Sequence, residues 1–192
     1  MTASQPQLFD APVRTPPGFR YQDDVIDRAH EQRLLAAFEA LSFTAFEFHG
    51  FTGKRRTIAF GHDYDFSAQT LHTAPPLPDF LLDLRSAAAA FAGIAAERIV
   101  HAMITDYPPG APIGWHRDRP EFAEIIGVSL QSPARLRFRR RQGAGFTRID
   151  QVVEPRSAYL LSGEARSQWE HSIPPGVERR FSVTFRTLRA VP

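Results

Sequence analysis

Beyond residue 98 the chain breaks into short runs of alternating apolar and polar residues, at 99–107, 124–131, 134–141, 158–162 and 180–187, set apart by clusters of Pro and Gly. A period of two puts successive side chains on opposite faces of an extended segment, and short strands punctuated in this way predict an all-β sandwich or jelly roll. No repeat of fixed period is present. At 192 residues the chain is long enough for one well-buried domain with at most a small appendage.

The N-terminal half reads differently. Residues 1–22, with Pro6, Pro12, Pro16 and Pro17 and little periodicity, are expected to be an extended arm without a fold of its own. Leu34, Leu35, Phe38 and Leu41 recur at helical spacing over 30–41. A second helix is predicted between Pro78 and Gly93, burying Phe80, Leu81, Leu84, Ala88 and Phe91. Between them Phe43, Phe46, Phe48, Phe51, Phe60, Tyr64 and Phe66 are interleaved with Gly50, Gly53 and Gly61, a pattern of strands and turns. The expected architecture is mainly β with flanking helices, an N-terminal α/β extension packed on a C-terminal double-stranded β core. Residues 23–192 then form a single domain.

Composition narrows the chemistry. Hydrophobic residues at 43% and charged residues at 23% are ordinary for a globular protein and exclude collagen-like or largely disordered chains. No apolar run approaches the roughly 20 residues of a membrane span, and the N-terminus lacks a basic start followed by an apolar core, so a cytoplasmic protein without membrane partners is expected. With no cysteine there is no disulfide, thiolate metal site or thiol nucleophile, and any metal must sit on His, Asp or Glu. Residues 1–96 carry a charge of −3 and residues 97–192 one of +5, and among the basic residues only Lys54 is a lysine. The planar guanidinium suits carboxylates and phosphates.

His116-Arg117-Asp118 follows a strand and the turn-rich Tyr107-Pro108-Pro109-Gly110-Ala111-Pro112. Residues i and i+2 of an extended segment point the same way, so His116 and Asp118 can face one ion. His171, in Trp169-Glu170-His171-Ser172-Ile173, offers a third ligand. Two His and one carboxylate make the facial triad of non-haem Fe(II). Taken alone, His-x-Asp also fits a surface ion pair or a turn cap, and His171 a histidine bonded to a loop carbonyl.

Arg180-Phe181-Ser182-Val183-Thr184-Phe185-Arg186 alternates strictly, one face oily and the other basic. Two inward arginines about 20 Å of strand apart at most leave a gap for a short dicarboxylate; the other reading is a pair of surface arginines on an edge strand. In 135–141, Arg135, Arg137, Arg139 and Arg141 share one strand face. Such a row can track phosphates or simply be a solvated face that discourages edge pairing.

Together these residues resemble the AlkB family of Fe(II)/2-oxoglutarate-dependent dioxygenases. The match comprises the Tyr107-Pro-Pro-Gly-Ala turn, His116-Arg117-Asp118, the distal His171 and Arg180-x5-Arg186. It extends upstream through Arg55-Arg56, Phe60-Gly61 and Tyr64-Asp65-Phe66-Ser67, which are similar to the nucleotide-recognition region of DNA-repair members. The resemblance covers roughly residues 50–188.

It implies a double-stranded β-helix, a cupin-like jelly roll, with a catalytic core over 98–188 and a substrate-recognition region over 43–75. It implies that His116, Asp118 and His171 hold Fe(II), that Arg180 and Tyr107 take the distal carboxylate of 2-oxoglutarate, and that Arg186 lies near its metal-chelating end. Thr105 stands where repair members carry Asn, and its hydroxyl can still hydrogen-bond. With O₂ as oxidant, the implied activity is oxidative dealkylation of DNA or RNA bases with formaldehyde release, by a monomeric enzyme. Tyr64 and Phe66 are the candidates to stack a base, with Arg117 and Glu121 as further substrate contacts. Pro120 stands where repair enzymes often place a base-reading acid, which leaves open a protein, lipid or metabolite substrate, or a non-catalytic binding module. Replacing His116 or Asp118 by Ala is expected to abolish turnover with the fold intact.

Overall fold

The computed structural model describes residues 15–48, 51–65, 70–73 and 75–189. In chain order the elements are β1 (Phe19–Gln22), α1 (Arg28–Glu39), β2 (Thr44–Phe48), β3 (Phe51–Asp65), β4 (Thr70–Thr73), α2 (Leu82–Ala92), β5 (Ile99–Tyr107), β6 (Ile113–His116), β7 (Phe122–Leu130), β8 (Ala134–Gln142), β9 (Gly145–Val153), β10 (Ala158–Leu161), α3 (Gly163–Ser167), β11 (Glu170–Ile173) and β12 (Arg180–Leu188).

The strands form two antiparallel sheets. The larger runs β1-β10-β7-β12-β5-β3-β2, with β4 paired to β3, and the smaller runs β6-β11-β8-β9. Phe19, Phe122, Ile125 and Leu161 of the large sheet share one buried cluster with Leu136, Phe138, Val153 and Ile173 of the small one. That cluster is the filling of a double-stranded β-helix. A second cluster covers the other face of the large sheet, where Phe181, Val183 and Phe185 of β12 meet Leu34 and Phe38 of α1 and Leu81, Leu84 and Ala88 at α2. The alternation of β12 therefore separates an apolar layer under the helices from a polar layer between the sheets.

Helix ends follow local chemistry. The Asp27 carboxylate accepts from the His30 amide at 2.7 Å and starts α1 two residues before the apolar stripe suggests. A one-turn 3₁₀ segment at Asp79–Leu81, opening after Pro78, leads into α2, and Gly93 closes it in the left-handed conformation at φ 70°. No described helix is long and apolar enough to cross a membrane.

The structure differs from expectation in several segments. Phe19–Gln22 pairs with β10 and buries Phe19, so the last part of the proline-rich arm is an ordered edge strand. Residues 1–14 lie outside the described residues. The run expected at 158–162 stops at Leu161, because Ser162 turns the chain into α3. Strands β6, β9 and β11 had no counterpart among the expected runs. β6 and β11 are only four residues long, and β9 carries charge on its solvent face.

Candidate active site

The polar layer is assembled by strand register. Arg180, Ser182, Thr184 and Arg186 on β12 stand opposite Tyr107, Thr105, Met103 and His101 on β5, and Ser182, Thr184 and Arg186 stand opposite Ser129, Gly127 and Ile125 on β7. His116 ends β6 and pairs directly with His171 on β11, with ring centroids 4.2 Å apart. Asp118 follows two residues beyond the strand. One ligand atom from each of His116, Asp118 and His171 lies within 4.8 Å of the other two. The three residues can hold one ion.

Their hydrogen bonds prepare them for it. His116 Nδ1 lies 2.9 Å from the Gly114 carbonyl oxygen; a carbonyl only accepts, so Nδ1 carries the proton and Nε2 presents its lone pair. Arg186 donates from Nε and Nη2 to Asp118 Oδ1 at 3.1 and 3.0 Å. Oδ2 faces His171 Nε2 at 3.4 Å. Burial would push the Asp118 carboxyl up, but Arg186 and the two imidazoles outweigh it and hold the group well below the usual carboxylate range. Burial and the neighbouring His116 push His171 down to about 3. A carboxylate and neutral imidazoles are the forms that bind metal. Arg186 Nη1 also meets His101 Nδ1 at 3.1 Å, and since a guanidinium has no acceptor, His101 accepts there.

At the other end of β12 the buried Arg180 donates through Nε to Ser129 Oγ at 3.0 Å and lies 5.1 Å from the Tyr107 ring centroid. Its Nη1 and Nη2 are buried without a hydrogen-bond partner among the described residues. A buried guanidinium edge with two idle donors is costly, and a carboxylate is the ligand whose two oxygens match it. A cavity of about 360 Å³ reaches this group, lined by Tyr107, Ser132, Arg135, Ile173, Val177 and Arg180 among others. The residues present thus fit both a divalent metal at one end and an anionic cosubstrate at the other.

Tyr159 occupies the floor between these ends and was not among the expected site residues. It stands opposite Gly127 on β7, and a Cβ built on Gly127 would overlap the far end of the Tyr159 ring. The phenol therefore reaches across β7 toward β12, into the fields of Arg180, Tyr107, Asp118 and Arg186, and burial raises it far above its usual range. It is a neutral hydroxyl. The Ser-Ala-Tyr-Leu-Leu run at 157–161 reads only as a buried strand, and nothing in it marks the tyrosine's direction. Ser129 and His101 were missed for the same reason, since cross-strand register is what brings them in.

Arg117 is exposed and donates to the Ser167 carbonyl at 3.2 Å. Glu121 is exposed, and its charge is felt by Arg166. Neither belongs to the three-residue cluster. Tyr64 lies on β3, and Phe66 falls outside the described residues.

The chain belongs to the 2OG-Fe(II) oxygenase superfamily, whose family model matches residues 21–186, and it is similar to AlkB homologues within it. Its cofactors are those of that family, Fe(II), 2-oxoglutarate and O₂. It is 28% identical over 221 residues to "Alkylated DNA repair protein ALKBH8 homolog" of Arabidopsis thaliana, covering 96% of this chain and 62% of that protein. It is 26% identical over 166 residues to "tRNA (carboxymethyluridine(34)-5-O)-methyltransferase ALKBH8" of Mus musculus, covering 83% of this chain and 24% of that one. The chain therefore spans less than two thirds of the length of these relatives. Its fold matches "The structure of OsALKBH1" with a TM-score of 0.65 at 14% identity, over 91% of this chain and 98% of the other.

Proposed function

We propose that this oxygenase acts on a substituted base in DNA or RNA, hydroxylating an alkyl carbon and, where that carbon is an N-methyl group, releasing it as formaldehyde through collapse of the hemiaminal. Family membership provides the reaction type. The printed names of two relatives, one an alkylated-DNA repair protein and one a tRNA-modifying enzyme, support the nucleic-acid substrate. The observation that carries the chemistry is Arg180, whose two idle Nη donors sit at the opposite end of β12 from the His116, Asp118 and His171 cluster.

His116 Nε2, the free Asp118 oxygen and His171 are the metal ligands in this reading. Iron, when bound there with 2-oxoglutarate and O₂, supplies the oxidising equivalents. The protein's part is placement. Arg180 takes the distal carboxylate, with Tyr107 beside it and Thr105 one register step along. Arg186 fixes Asp118 through Oδ1, so that Oδ2 is the oxygen turned toward His171. The buried walls keep water from the reacting centre.

Succinate and formaldehyde formation over a panel of alkylated single- and double-stranded oligonucleotides, deoxy and ribo, tests the proposal. Stimulated succinate release with formaldehyde from at least one methylated oligonucleotide is the expected result. A second reading, a substrate other than nucleic acid, is favoured by Pro120 and by the outward position of Glu121. It gains if 2-oxoglutarate is consumed but no oligonucleotide stimulates it.

A further inference from the structure

The alternation that turns His116, Phe138 and His171 inward turns their neighbours outward, and the outer face of the small sheet is unusual. Register places Arg135, Arg137, Arg139 and Arg141 of β8 beside Val152, Asp150, Arg148 and Phe146 of β9, and beside Ser172 and Glu170 of β11. Five arginines share this face with two carboxylates, a local charge of +3. Two arginines are occupied: Arg139 pairs with Glu170 at 2.6 Å and Arg135 with Asp150 at 3.6 Å. Among the described residues Arg141 and Arg148 have no carboxylate partner, and both are exposed.

Aromatic rings alternate with these charges. Trp115 of β6, half-buried, has the Arg137 and Arg139 guanidinium carbons 5.0 and 4.6 Å from its ring centroid. Phe146, 37% exposed, has Arg139 at 4.7 Å and Arg148 at 5.6 Å. Arginines held beside aromatic rings on a flat sheet can contact phosphates while the rings stack bases, the combination that binds unpaired nucleic acid. A solvated face made only to discourage edge pairing needs the charges and not the rings. Three strand spacings, about 14 Å, separate β9 from β6. The face ends at Trp115, which immediately precedes His116 on the edge strand of this sheet.

Resting on the reading that the substrate is a nucleic acid, we propose that the outer face of the small sheet, from Phe146 and Arg148 to Trp115, is a docking platform for a single-stranded segment of that substrate. It binds phosphates through Arg141 and Arg148 and unpaired bases through Phe146 and Trp115. Trp169 is buried, so a change of tryptophan fluorescence on binding reports on Trp115.

The test measures binding of labelled single-stranded oligouridylate and oligothymidylate to the full chain at several salt concentrations, with polyglutamate as competitor. The Arg141→Glu/Arg148→Glu double variant is expected to lose about tenfold or more in affinity. Its slope of log affinity against log salt should fall by about 1.4, two contacts at roughly 0.7 each. Phe146→Ala should lose several-fold in affinity with the salt slope unchanged, because stacking releases no counterions. Both variants should keep 2-oxoglutarate turnover measured without nucleic acid, which shows that they fold. The difference between the two oligonucleotide arms tells whether the 2′-hydroxyl contributes. Native affinity and slope in the double variant, or displacement of oligonucleotide by an equal charge of polyglutamate, overturns the platform. If the variants still oxidise a methylated oligonucleotide like the native chain, the platform fails while the function stands; if the native chain neither binds nor oxidises any oligonucleotide, both fail.

Discussion

Tyr159 lies over Gly127 so closely that no side chain fits beneath its ring, and this contact aims the phenol at the space between Arg180 and Arg186. A neutral hydroxyl there is a donor for an anionic ligand. Tyr159→Phe keeps the ring and removes the donor, so it should weaken 2-oxoglutarate binding by roughly 1.5–3 kcal/mol, the worth of a hydrogen bond to a charged group, while leaving the melting temperature near that of the native protein. Gly127→Ala forces the ring off its seat and should cost about 1–3 kcal/mol of stability as well. Titrating 2-oxoglutarate into the Mn(II)-loaded variants, alongside thermal melts, checks both. Native affinity in Tyr159→Phe would remove the phenol from the cosubstrate site.

Arg180 makes the opposite trade between stability and binding. Its Nη1 and Nη2 have no hydrogen-bond partner among the described residues, so the ligand-free protein carries a desolvated charge with little in return. Arg180→Met, similar in reach and apolar, should leave the ligand-free melting temperature unchanged or raise it. It should also weaken 2-oxoglutarate binding by about 2–5 kcal/mol, which is thirtyfold or more, and abolish the rise in melting temperature that the ligand gives. A marked fall in ligand-free stability would mean that the guanidinium already has its counter-charge.

The same contrast between strand and register explains what could be seen beforehand. β5 and β12 were legible almost to the residue, because β12 alternates strictly from Arg180 to Arg186 and β5 is a nine-residue run rich in β-branched side chains that stops at Pro108. The metal cluster was legible because His116 and Asp118 are two apart and His171 lies in a distinctive short run. Ser129, His101 and Tyr159 were not legible, since each enters the site only through its partner across a ladder, and pairing order is not written in a single strand. β6 and β11 escaped notice because a four-residue strand has too few alternations to stand out. Arg117 and Glu121, expected as substrate contacts, are exposed on the irregular chain beyond β6, outside the metal cluster, and stay proposals.

Alkaline pH offers a separate check on the buried phenol. Burial, only partly countered by Arg180 and Arg186, raises Tyr159 above its ordinary 10.0. The folded state holds its proton where the unfolded chain would release it, so the contribution to stability is whole below pH 10.0 and shrinks as pH climbs from there through the folded value. The urea midpoint of the native protein should therefore fall more steeply above that pH than the midpoint of Tyr159→Phe. Parallel declines would show that the phenol ionises as freely in the folded chain.

Asp118 and His116 should differ in stability although both are needed for turnover. From sequence, either alanine substitution is expected to spare the fold. We keep that expectation for His116, which is half-exposed and has the nearby Gly114 carbonyl as its hydrogen-bond partner among the described residues. It changes for Asp118, whose Oδ1 neutralises a guanidinium that is itself only 8% exposed. Asp118→Ala leaves Arg186 with His101 as its remaining acceptor among the described residues, and an uncompensated buried charge costs about 3–5 kcal/mol. His116→Ala should cost about 1 kcal/mol or less. Urea unfolding of the metal-free variants in chelator measures the difference, and succinate formation should be lost in both. The Arg186→Met/Asp118→Ala double variant should recover much of the stability lost by Asp118→Ala alone, because the charge that lacked a partner is gone. Equal stability of the two single variants, or no recovery in the double, would show that Arg186 does not depend on Asp118 for its counter-charge.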